Sequence, residues 1–68
     1  MSIISFLGNY AGRTASEWIR MAGEWAAKGN ANRVRDCAYN AAKAALGNNA
    51  SWDAIRNYAE ALIRSLLR

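Results

Sequence analysis

Few side chains in this chain are able to do chemistry. Its 68 residues include five carboxylates, nine lysines or arginines and one cysteine, with no histidine. Without imidazole, the Ser–His and Cys–His arrangements that activate a nucleophile cannot be assembled. One thiol without histidine builds none of the common zinc sites and leaves no intrachain disulfide. The acids Glu17, Glu24, Asp36, Asp53 and Glu60 fall on polar helix faces, mostly beside arginine or lysine. Carboxylates that divide acid and base roles need burial or mutual closeness, and this spacing supplies neither. Gly8-Asn9-Tyr10-Ala11-Gly12 lacks the lysine that follows a phosphate-cradling loop and the strand that precedes it. The expectation is a protein that is not an enzyme and uses no metal or cofactor.

Cys37 stands on a seam of small residues in a helical pattern, where a free cysteine behaves as a small hydrophobe. Exposure of that seam would instead bring the thiol under the influence of Arg33 and Arg35, or open it to a disulfide between chains.

The net charge is +4, and a basic balance can serve nucleic acid, an acidic surface or plain solubility. Here the charge is dispersed, and residues 15–29 are neutral, with Glu17 and Glu24 balancing Arg20 and Lys28. Helix-turn-helix recognition wants a small residue about four before the turn glycine and apolar residues around it. Trp25 stands before Gly29 and Lys43 before Gly47, so neither turn fits. A diffuse basic face of Arg33, Arg35, Arg56, Arg64 and Arg68 is the remaining route to phosphates.

The elements that hold these residues are helical. Fifteen alanines, no proline, one valine and one threonine make an all-α fold the clear expectation. Glycine and asparagine cut the chain at 8–12, 29–32 and 47–49. Glycine caps a helix end in the left-handed conformation, and asparagine accepts the free N–H groups of the next start. Thr14 and Glu17 form a capping box, and Ser51 caps the last helix with Asp53 in its first turn. Helices are expected near Ala15–Lys28, Asn32–Leu46 and Trp52–Leu67, with a short additional helix near Ile3–Tyr10. Short loops make consecutive helices antiparallel, giving a small three-helix bundle in one domain, residues 1–68.

Each helix has an apolar face at the 3.6-residue period. It is Ala15, Trp18, Ala22, Trp25 and Ala26 in the first, with Arg20, Glu24 and Lys28 opposite as ion pairs. It is Val34, Cys37, Ala38, Ala41 and Ala45 in the middle one. In the last it is Trp52, Ile55, Ala59, Leu62, Ile63 and Leu66, with Arg56, Glu60 and Arg64 on the solvent side. The predicted core is Trp18, Trp25 and Trp52 laid over an alanine floor.

Functionally, the residues point to a small helical protein that works by binding another protein, as inhibitor, adaptor or regulator. The expected contact residues are Ile3, Phe6, Leu7, Tyr10, Arg33, Arg35, Tyr39, Leu46, Arg56 and Arg64. The N-terminal apolar residues either cover the bundle or dock a partner. The wide apolar face of the last helix suggests a homodimer. The alternatives are nucleic acid bound through the diffuse arginine face, and a membrane surface. No stretch has the ~18 continuous apolar residues of a spanning helix. Met1–Leu7 lacks the features of a signal peptide, and with a lone thiol the expected setting is cytoplasmic.

Overall fold

The computed structural model describes residues 9–47 and 49–67. Two short strands, β1 (Asn9–Tyr10) and β2 (Arg13–Thr14), pair antiparallel with Asn9 opposite Thr14 and Tyr10 opposite Arg13. Helices α1 (Ala15–Ala27), α2 (Ala31–Leu46) and α3 (Trp52–Leu66) follow. The helix expected near Ile3–Tyr10 therefore does not extend over Asn9 and Tyr10; residues 1–8 lie outside the described part. The reason is local: Ala11 and Gly12 have φ of 53° and 80°. Two consecutive left-handed residues break a helix and reverse the chain into a hairpin.

Helix limits fall where the caps put them. The Thr14 N–H donates to Glu17 Oε1 at 3.2 Å, and the Glu17 N–H donates to Thr14 Oγ1 at 3.3 Å. Ser51 Oγ accepts from the Ala54 N–H at 3.1 Å. Between α1 and α2 the turn is very short. Gly29, at φ 78°, donates to the Ala26 carbonyl, and Asn30 donates to the Trp25 carbonyl, both at 3.0 Å. This pair of bonds is a Schellman closure. Asn30 then accepts the Arg33 N–H at 3.2 Å, ending one helix and starting the next.

α2 is the middle element. It packs along both α1 and α3, which barely meet each other. Its residues Ala38 and Ala42 form a cluster with Ile55, Ala59 and Ile63 of α3, flanked by Tyr39, Tyr58 and Leu62. The other buried positions of α2, Val34, Cys37, Ala41 and Ala44, make a second stripe toward α1, whose one fully buried residue is Ala22. The described Cα atoms extend 35 × 26 × 14 Å. Because α1 and α3 pack on α2 and barely on each other, they flank α2 instead of closing a three-sided bundle.

That arrangement corrects the expected core in part. Trp52 is 58% exposed, while Trp18 and Trp25 are mostly but not fully covered. The buried interior is the alanines with Val34, Cys37, Ile55 and Ile63, small residues bringing the axes together. Two smaller corrections follow the same geometry. Ala45 is exposed while Ala42 and Ala44 are buried. Lys28 lies over the Trp25 ring instead of pairing with Glu24.

Candidate interaction surfaces

Two side-chain constellations stand out, one on each side of α2. On the α3 side, Trp52, Arg56 and Glu60 recur every fourth residue, forming one stripe of α3. Tyr39 of α2 lies along it. Its ring stacks on Trp52, with centroids 5.7 Å apart and planes at 25°, and its hydroxyl donates to Glu60 Oε2 at 3.0 Å. Arg35, one turn earlier on α2, approaches the same oxygen at 3.9 Å. Arg56 pairs with Asp53 at 3.3 Å. Burial, then the Glu60 carboxylate, pushes the Tyr39 hydroxyl pKa above 10.0, with Arg56 and Arg35 opposing. The aromatic pair is thus fixed at one end by stacking and at the other by a hydrogen bond. Leu46, two turns beyond Tyr39 on the same stripe of α2, is 40% exposed.

On the α1 side, Arg13 of β2 stands over Trp18, 5.6 Å from the ring centroid. Lys28 and Arg33 both stand over Trp25, at 4.9 and 5.2 Å. Cys37 is buried beneath this side. Its thiol pKa is pushed above 9.0 by burial first and Asp36 second, against the opposing pull of Arg33 and Arg13. A buried, protonated thiol is a packing group, in keeping with its place on the small-residue seam.

The expected contact residues divide between these sides. Arg35, Tyr39 and Arg56 come together around Glu60 and Trp52, with Leu46 on the same stripe. Arg33 does not join Arg35. Residues two apart on a helix point about 200° apart, so Arg33 faces Trp25 and Arg35 faces Glu60. The single arginine face expected from the sequence is therefore split. Arg64 is exposed in the last turn of α3, one turn beyond Glu60 on the same every-fourth-residue stripe. Tyr10 is in β1, while Ile3, Phe6, Leu7 and Arg68 lie outside the described residues.

Several members escaped the sequence reading. Trp52 was expected in the core, and Glu60 on the solvent side, where it instead links α2 to α3. Arg13, Lys28 and Trp25 were not read as one group. The available signal was Trp52 at the first position of its helix, where neighbours on the preceding turn are missing. No protein-family model, curated protein or solved structure matches this chain. Among the described residues, no three acidic or thiol side chains converge as a metal site, and no helix is long and apolar enough to cross a membrane.

Proposed function

We propose that this chain works by binding another protein, as an inhibitor, adaptor or regulator, through the aromatic surface where α2 meets α3. The observation that carries the reading is Trp52, 58% exposed yet held against Tyr39. Tryptophan and tyrosine dominate binding hot spots because they bring large area with few rotatable bonds. An indole already fixed by its neighbour loses less entropy on docking than a mobile one. Leu46 extends the apolar area, and Arg35, Arg56 and Glu60 supply the polar rim expected around such an anchor. Nothing in this arrangement requires catalysis. The carboxylates are scattered, Glu60 is engaged with Tyr39 and Arg35, and Asp53 with Arg56.

The test is affinity capture from the native host with cross-linking through a photoreactive residue at position 46. The same partner should be captured by wild type and by Arg20→Ala, exposed on α1, and lost with folded Trp52→Ala. Capture that is indifferent to Trp52, or no partner cross-linked from position 46, would refute the assignment.

A further inference from the structure

The α1 side of the molecule carries three cations that the fold does not neutralise. Among the described residues, Arg13, Lys28 and Arg33 form no ion pair with any carboxylate. They are nevertheless held in place, each over an indole. Trp18 and Trp25 are seven residues apart on α1, hence on one side of the helix and about 10 Å apart along its axis. The charges come from three elements: Arg13 from the hairpin, Lys28 from the end of α1, Arg33 from the start of α2. Arg13 stands over Trp18 and Arg33 over Trp25, and those two rings share one side of α1, so the two guanidinium groups lie on that side as well. The result is a basic strip interleaved with aromatic rings.

We propose that this strip of Arg13, Trp18, Trp25, Lys28 and Arg33 binds the phosphodiester backbone of single-stranded nucleic acid without reading its sequence. A guanidinium or ammonium held over an indole makes no hydrogen bond to the ring face and keeps N–H donors for phosphate oxygens. A single strand repeats a phosphate and an unstacked base in every unit, and sequence-tolerant single-strand sites combine basic grooves with aromatic platforms. An acidic protein surface would answer the charges alone, whereas a single strand also brings unstacked bases that can stack on the guanidinium planes and ring edges. A duplex reader would insert a helix and its base-contacting side chains into a groove. Here the cations flank a shallow face made by two helices and a hairpin. The strip is separate from the Tyr39–Trp52 surface, so either assignment stands or falls without the other.

The measurement is fluorescence anisotropy of a labelled oligothymidine titrated with the full chain across a salt series. Binding should weaken with salt at a log–log slope near −2, from three phosphate contacts at about −0.7 each on a single strand. Lys28→Gln with Arg33→Gln should remove about two thirds of that slope and lower the affinity at low salt by roughly tenfold or more. Arg64→Gln, on the far helix, should leave both unchanged, and circular dichroism checks that each variant is helical. If the double variant loses its helices, Lys28→Gln alone, at the exposed end of α1, should still remove about one third of the slope. Absence of binding at low salt, a slope indifferent to Lys28 and Arg33, or equally tight binding of polyglutamate would each overturn the proposal. The last outcome would assign the strip to an acidic protein surface.

Discussion

At the scale of single residues, the contacts that hold this structure are short-range. Thr14 and Glu17 satisfy each other's backbone across three residues, and Ser51 Oγ accepts the Ala54 N–H across the same spacing. Such contacts depend on spacing alone, which is why they were legible in the sequence. Replacing Thr14 with alanine should cost about 1 kcal/mol of stability, read by chemical denaturation. A second residue-scale expectation concerns alkaline pH. Cys37 and Tyr39 both have pKa values raised in the folded chain, chiefly by burial. The folded state then keeps protons that the unfolded chain has released. Stability from these groups is fully present below their unfolded values and declines as pH rises past 9.0 toward the folded ones. Denaturation midpoints should fall between about pH 9 and 11, and Cys37→Ala with Tyr39→Phe should flatten that fall. An equally steep decline in the double variant would assign alkaline instability to other groups.

The three long helices were as legible as caps, but the hairpin at 9–14 and the faces of the helices were not. The expected Ala15–Lys28, Asn32–Leu46 and Trp52–Leu67 differ from α1, α2 and α3 by one residue at an end. Glycine at 29 and 47 and the asparagine and serine starts fixed those limits. Which apolar residues become interior depends on how many neighbours a helix has, and periodicity does not carry that information. Trp18, Trp25 and Trp52 sit on apolar faces, yet with α1 and α3 flanking α2 none is fully buried and Trp52 is exposed. The same arrangement predicts where the chain tolerates change. Ala38 and Ala59 are 0% exposed and join the cluster that sets the α2–α3 approach. Either one replaced by leucine should cost about 1–3 kcal/mol through overpacking. Trp52→Ala should cost far less than the 3–5 kcal/mol of a buried tryptophan. Thermal melts of these variants decide between an alanine interior and a tryptophan one, because the two accounts reverse the order.

At the scale of the whole molecule, what counts is what two helices flanking a third gain from another body. α1 and α3 each pack closely on α2 and barely on each other, so part of each circumference is left less covered. α3 has one close helical neighbour, α2, on which Ile55, Ala59 and Ile63 are buried. Tyr58, Leu62 and Leu66 are incompletely buried, and Leu67 is 38% exposed. An apolar stripe of about 100° serves one neighbour, and the α3 stripe from Trp52 through Leu62 to Leu67 is wider. Burying large side chains further yields roughly 1.5–3 kcal/mol each when burial is complete, and less here because they begin partly covered. That gain is substantial for a chain whose core alone supplies about 3–5 kcal/mol. Twofold pairing of α3 against its copy is the commonest symmetric way to obtain it. Sedimentation equilibrium should therefore show a monomer–dimer transition, and the melting temperature should rise with protein concentration. Leu62→Glu or Leu66→Glu should abolish both effects while Trp52→Ala leaves them in place, because Trp52 lies two turns or more away on α3. A monomer over a hundredfold range of concentration would rule out the pairing.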